Sequence, residues 1–281
     1  MNGLSRFSKA VIFALVAAPA KMHKRGVEPI EIFSRSARRH HRRRASASVH
    51  EDHWLIARMA TEISDRLYVV RNDFADILIL GNDFGALDFP ARFPNAHVTV
   101  ADPGDVAALQ CDEDRLPFAD NSFDLIVAIG TLDTVNDLPG ALILIRRMLR
   151  DNGLFLGAMF GAGSLSTLKQ CIVNIGIARF HPQIDVRSAG DLLMRAGFAL
   201  PVADSEAITA NYPNIFRLVG DLRANGLTNA LAQRHPMRRT DIADAAQRFS
   251  SMGSDKTAEQ FVILTLTGWA PSRRVAFSED R

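Results

Sequence analysis

The chain has 281 residues, 47% hydrophobic and 23% charged, proportions ordinary for a globular protein with a sizeable core. They exclude a collagen-like, largely disordered or disulfide-scaffold protein; the two cysteines, Cys111 and Cys171, are too few for a zinc cluster and fit a reducing compartment. The net charge of +2 conceals a division: residues 21–44 hold nine Lys/Arg against Glu28 and Glu31, so the rest of the chain is net acidic.

Residues 1–27 carry no acid and contain the apolar stretch Ala10–Ala20, interrupted by Pro19 and well short of the roughly 20 residues of a membrane span. A secretory signal, a transit peptide and a start assigned ahead of Met22 all fit this segment. The basic arm that follows suits nucleic acid, an anionic membrane, an acidic protein, or the acidic body of its own chain, across which it would lie as a cationic helix. No aromatic-rich or zinc-type module accompanies it, which weighs against nucleic acid. The expected organisation is an arm over 1–50, a single domain over 51–272 with a helical insertion near 211–250, and a tail over 273–281.

Within the body, Trp54, Leu55, Ile56, Met59, Ile63 and Leu67 recur at helical spacing, predicting a helix over 51–67. Strands are expected at Ala75–Leu80, ended by Gly81, at His97–Ala101 with Asp102 at its carboxyl end, and at Asp124–Ile129. Asp137 is placed to cap a helix over Leu138–Arg150, which Asp151-Asn152-Gly153 would end before a strand over Leu154–Met159. A short helix over Asp191–Ala196, stopped by Gly197, and a strong strand over Gln260–Gly268 complete the pattern. Strands separated by helix-length segments imply βαβ units: an α/β, doubly wound, mostly parallel Rossmann-like sheet with helices on both faces.

Ligands of such sheets bind at the carboxyl ends of the strands. Three segments converge there. Gly81-Asn82-Asp83-Phe84-Gly85 allows a tight turn, and a helix starting after it would offer N–H groups to an anion. Asp102, about 20 residues on, is placed to accept from ribose hydroxyls. Cys111 to Phe118 brings Asp112, Glu113 and Asp114 toward an adenine amino group, with Leu116 and Phe118 packing nearby.

The run LPFADNSFDLIVAIGTLDTVNDLPGALILIRRMLRDNGLFLGAMFG, Leu116–Gly161, resembles class I S-adenosylmethionine-dependent methyltransferases of the type 11 kind. More narrowly, the chain resembles the mitochondrial complex I assembly factor 5 family and its bacterial relatives, neighbours of the malonyl-carrier-protein methyltransferases. Ile32-Phe33-Ser34-Arg35 with the arginines after it, Gly157–Gly161, Arg195–Phe198, Asn211-Tyr212-Pro213, Phe216, Asp221 and Leu222 carry that likeness, from Ile32 to Trp269. The resemblance implies S-adenosylmethionine as cofactor. Gly81, Asp83 and Gly85 would lie against its methionine part, Asp102 at the ribose, Asp112 at the adenine, and Ile129 to Leu132 would form a wall. It implies no metal.

Two departures stand out. Ile79 takes the place of the acid that usually opens the first loop, and Asp83 that of its middle glycine. A carboxylate beside the cofactor's own would repel it, and about 2.7 kcal/mol of repulsion weakens binding roughly 100-fold. Asp133-Thr134 replaces a His-Trp-type pair, leaving Asp133 and Tyr212 as candidate bases by position, with core packing the competing reading of Tyr212. The resemblance leaves three functions open: methyl transfer to a protein, carrier protein or small molecule; arginine hydroxylation of a respiratory complex I subunit; and a non-catalytic assembly role in which the arm and residues 211–229 hold a partner. The compartment would be a bacterial cytoplasm or a mitochondrial matrix.

Overall fold

A computed structural model describes residues 31–48, 53–172 and 179–272. The expectations for residues 1–27 and for the tail 273–281 lie outside them. Strands β1 (Asp76–Leu80), β2 (His97–Asp102), β3 (Leu109–Gln110), β4 (Phe123–Ile129), β5 (Leu149–Phe160), β6 (Ala199–Tyr212) and β7 (Thr257–Trp269) form one sheet in the order β3-β2-β1-β4-β5-β7-β6. Neighbours from β3 to β5 run parallel, and β7 runs antiparallel to β5 and β6. This is the expected mostly parallel, doubly wound sheet. Strand order reverses between β1 and β4, which opens a crevice outside their carboxyl ends.

Buried on both faces, the parallel strands feed two apolar layers by simple alternation. Ile77, Ile79, Leu125, Val127 and Ile129 point to one side, where Leu55, Ile56, Met59, Ile63 and Leu67 of α2 (Trp54–Val69) cover them. Leu78, Leu80, Ile126 and Ala128 point to the other, against Leu142 and Ile145 of α4 (Leu138–Met148) and Leu193 of α6 (Val186–Arg195). The helical arm α1 (Arg35–Ser46) lies apart from both layers.

Three local expectations are corrected. The loop after β1 is not followed by an anion-binding helix start. Asn82 accepts the Phe84 N–H at 2.9 Å and Asp83 that of Leu87 at 2.9 Å. The next helix, α3 (Phe89–Arg92), is one turn capped by Asp88 and halted before Pro94. Asp151-Asn152-Gly153 does not separate helix from strand: β5 begins at Leu149, directly after α4, with an irregular register against β4 and Asn152 at φ +59°. Helix α6 starts at Val186, because Asp185 accepts the Ser188 N–H at 2.7 Å, so Asp191 lies in mid-helix.

Strand β6 was not foreseen in the sequence. Its residues alternate half-buried and exposed, as on a sheet edge, and charges interrupt the apolar side. Asp204 and Glu206 pair there with Arg66 and Arg58 of α2. Helices α7 (Ile215–Ala224) and α8 (Arg239–Ser251) follow, and α5 (Ser166–Cys171) packs beside α8.

The layer under α4 and α6 turns on Phe155, which is fully buried and stacked on Phe198 with ring centroids 5.3 Å apart. Phe155→Ala removes this contact and leaves a cavity, at a cost of about 3–5 kcal/mol. Urea unfolding followed by circular dichroism measures it, and a loss below about 1 kcal/mol would show that the layer closes around the gap.

Candidate functional site

The crevice forms where β1, β2 and β4 end. Gly81 closes β1 at φ +94°, and a Cβ there would overlap the Ile129 carbonyl oxygen. Only glycine fits both the angle and the approach. Its N–H donates to Ala101 O at 2.9 Å, setting it beside the end of β2. Asp102 ends β2 with 0% exposure, and its Oδ1 accepts the Gly104 N–H at 2.6 Å. Asp112, Glu113 and Asp114 follow β3 along the same rim, and Gly130 and Thr131 follow β4.

Helix α1 lies across this rim. Ser34 caps it, accepting the Ala37 N–H. Its arginines meet the rim carboxylates in order. Arg35 grips Asp114 with two bonds of 2.8 Å. Arg38 donates to Glu113 at 2.8 Å and to the Thr131 carbonyl at 3.2 Å, while Thr131 Oγ1 also bonds Glu113. Arg39 reaches Asp112 at 2.9 Å. Arg42 donates from Nε to Asp102 at 2.6 Å and from Nη1 to the Gly130 carbonyl at 2.9 Å. Arg43 binds Asp105 bidentately at the exposed end. The basic arm thus docks on its own acidic body.

Burial divides these pairs. Arg43–Asp105 is exposed and contributes little. Arg38, Arg42, Asp102, Asp112 and Glu113 are buried, so each charge depends on its partner. Arg42 Nη2 is shielded from solvent and has no hydrogen-bond partner among the described residues. It lies beside Gly81, 3.2 Å from where a Cβ would stand.

The other residues singled out in the sequence are placed as follows. Gly85 is exposed at φ +80°, with nothing within 4 Å of a Cβ position. Asp83 turns back onto Leu87. The side chains of Ile79, Ile129 and Leu132 are buried in the apolar layers, and beyond Ile129 it is the Gly130 carbonyl that faces the arm. Tyr212 is buried and donates to Asp221 at 3.1 Å, which burial and Asp221 together reinforce by raising the phenol's pKa. Burial likewise pushes the Cys111 thiol up to about 12. Among the described residues, no group of three His, Cys, Asp or Glu is placed to hold a metal ion.

A cavity of about 600 Å³ opens beyond β4, β5 and β7, lined by Asp133, Phe160, Leu168, His181, Arg234 and Phe261 among others. Burial raises the Asp133 carboxyl to about 6, only partly offset by Arg38 and Arg42. Burial lowers His181 to about 4, with Arg38 adding to the effect, and the neutral ring accepts the Ala230 N–H at 2.8 Å. Phe33, just before α1, meets His181 edge to face at 5.2 Å. Arm, crevice and cavity are therefore contiguous.

The Methyltransferase domain family matches residues 82–157, from the first loop to the middle of β5. The rat protein named arginine-hydroxylase NDUFAF5, mitochondrial, is 30% identical over 77% of this chain and 70% of its own length. The chain belongs to the NDUFAF5 family. The chain spans 39% of the Dictyostelium discoideum NDUFAF5 protein and 84% of the zebrafish one. A malonyl-[acyl-carrier protein] O-methyltransferase of Laribacter hongkongensis is 33% identical over 63% of this chain and 67% of that protein. The solved Bacillus halodurans protein BH2331 shares the fold, with TM-score 0.52 and 13% identity over 76% of this chain and 99% of that one. The sheet, the domain match and these relatives make the chain a class I methyltransferase-fold member related to NDUFAF5.

In this family member the rim acids were legible, but their partners were not. Arg35, Arg38, Arg39 and Arg42 recur at three and four residues, one face of a helix, and that spacing was the available signal. Gly130 and Thr131 fell within the expected wall from Ile129 to Leu132, but nothing in the sequence marked their carbonyls as acceptors for the arm.

Asp133 supplies a stability test. Because its folded pKa exceeds the unfolded value of 3.8, it costs nothing below pH 4, and its penalty grows as pH rises through 6. Asp133→Asn removes that penalty, raising the melting temperature by roughly 2–6 °C at pH 8 and by almost nothing at pH 4. Scanning calorimetry at both pH values reads the difference; equal gains at the two would rule out a titrating Asp133.

Proposed function

We propose that the chain is an S-adenosylmethionine-dependent methyltransferase whose cofactor lodges at the carboxyl ends of β1, β2 and β4, next to an acceptor held in the adjoining cavity. One observation carries this reading: a buried acid ends β2 beside a glycine with positive φ that ends β1, at the switch point of the sheet. That pair suits a nucleoside, with the glycine admitting close approach and the acid accepting from ribose hydroxyls.

In this reading Gly81, Asp83 and Gly85 flank the methionine part, Asp102 holds the ribose and Asp112 the adenine amino group. Ile129 and Leu132 act from within the apolar layers by holding the backbone of the β4 turn in place. When bound, the cofactor supplies an activated methyl group on a sulfonium. The chain's remaining tasks are to align an acceptor, exclude water and take up a proton. Asp133, at the junction of crevice and cavity and titrating near 6, is ionised at neutral pH and is the candidate proton acceptor. Tyr212, committed to Asp221, does not suit that task.

The names of the relatives support a protein or a carrier-borne group as acceptor, since one set is called arginine-hydroxylase and another methylates malonyl-[acyl-carrier protein]. The mitochondrial label of the first set supports a mitochondrial compartment or its bacterial counterpart. No helix among the described residues is long and apolar enough to cross a membrane.

Isothermal titration with S-adenosylhomocysteine tests the cofactor reading. Arg42→Ala is the reference background, so that loss of the Arg42–Asp102 pair is common to both variants. Adding Asp102→Ala removes a charge-assisted acceptor and should weaken binding about 10- to 100-fold. Equal affinity in the single and double variants would take the nucleoside away from Asp102.

A further inference from the structure

We infer that α1 and the nucleoside of the cofactor exclude one another, so that the arm is a built-in occupant of the binding crevice that has to leave before the cofactor enters. The inference rests on the cofactor reading above and concerns how that same site is regulated.

The atoms a nucleoside would use are those the arm already holds. Arg42 places Nε on the ribose acid Asp102 at 2.6 Å and Nη1 on the Gly130 carbonyl at 2.9 Å, with Nη2 beside Gly81. Its guanidinium therefore spans the space between the ends of β1, β2 and β4. One turn earlier, Asp112 on the adenine side accepts from Arg39 at 2.9 Å and lies 3.1 Å from Arg35. Asp102 has 0% exposure with the helix in place, which leaves no route for a hydroxyl to reach it. The obstruction is steric as well as electrostatic.

The arm is also built to be exchanged. Arg42 Nη2 is buried without a hydrogen-bond partner among the described residues, so the docked helix fits the crevice imperfectly. A nucleoside brings donors for both acids, while the displaced arginines regain water. Exchange thus spares Asp102 and Asp112 the cost of a bare buried carboxylate, which release of the arm alone would impose, and leaves Glu113 with the Thr131 hydroxyl. The anchor preceding α1 lies outside the crevice. Phe33 bonds the Asn136 side chain at 2.8 and 3.0 Å, the Ser34 N–H donates to Ala230, and the Ala232 N–H donates to Ile32. To leave the crevice while its first residues stay attached, the helix has to give up the contacts of its other end, where Arg44 bonds Thr228 at 2.9 Å and the buried Ala45 meets His53 Nε2 through its carbonyl at 3.0 Å. Apparent affinity falls with the fraction of molecules whose crevice is open, so an arm docked about 99% of the time weakens cofactor binding about 100-fold.

The test compares S-adenosylhomocysteine titrations of the wild-type chain, of Arg42→Ala, and of a charge-reversed variant, Arg35→Glu/Arg39→Glu/Arg43→Glu. The last repels Asp114, Asp112 and Asp105 without altering any crevice residue of the body. Both variants should bind at least tenfold more tightly than wild type. Measurable binding with one affinity in all three overturns the exclusion and leaves the cofactor reading standing. No binding in any of them up to millimolar ligand removes the cofactor reading and this inference together. Limited trypsin digestion of the wild-type chain guards against variants that misfold. Saturating ligand should speed cleavage after the arginines of residues 35–44, whereas slower cleavage would mean that the helix closes over the ligand, and would overturn the exclusion.

Discussion

A carboxylate at the carboxyl end of a buried parallel sheet has little water around it, so its charge has to be met by a cation, by hydrogen-bond donors or by a proton. Asp102, Asp112 and Glu113 impose that constraint here, and the rest of the molecule's upper face follows from it. Arginines at three- and four-residue spacing answer it from one side of α1, each reaching a different acid. Arginine suits the task better than lysine, since its planar fork satisfies a carboxylate and a carbonyl together, as Arg42 does with Asp102 and Gly130. The opposite charges of arm and body, which nearly cancel in the total, are thus one interaction divided along the chain.

Breaking a buried pair on one side only is far costlier than exchanging one partner for another. That asymmetry is what gives a docked arm regulatory meaning under the proposed exchange. The helix stays down while nothing else can satisfy the acids, and a ligand with donors in the right places takes over their compensation. Crevice and cavity are linked by the same physics, because Arg38 lies near Asp133 and near His181 and acts on the charge of both. A change in arm position would alter the electrostatics at the cavity mouth as well as the space in the crevice.

The departures of the first loop also have a structural account. Ile79 lies in the apolar layer beneath α2, between Val100 and Val127, where a carboxylate would be buried without a partner. Asp83 spends one oxygen on the Leu87 N–H, holding together a loop that no long helix follows. The negative charge that raised the question of repulsion is thereby also a local structural acceptor.

The sheet was legible in the sequence because its inner strands are short apolar runs ended by glycine or aspartate, and α4 because Asp137 caps a periodic helix. Strand β6 was not, since an edge strand exposes alternate residues and its charges pair only with a helix far away in the chain. The acids of the crevice could likewise be placed by spacing alone, Asp102 at the end of β2 and Asp112 just beyond β3. What faces them could not. Periodicity records which side of an element is apolar, while the partner of a charge depends on which distant segment folds back across the sheet. The charge division made the acidic body one partner open to the basic arm, beside a membrane or another protein, but only the packed fold brought Arg42 onto Asp102, sixty residues further along.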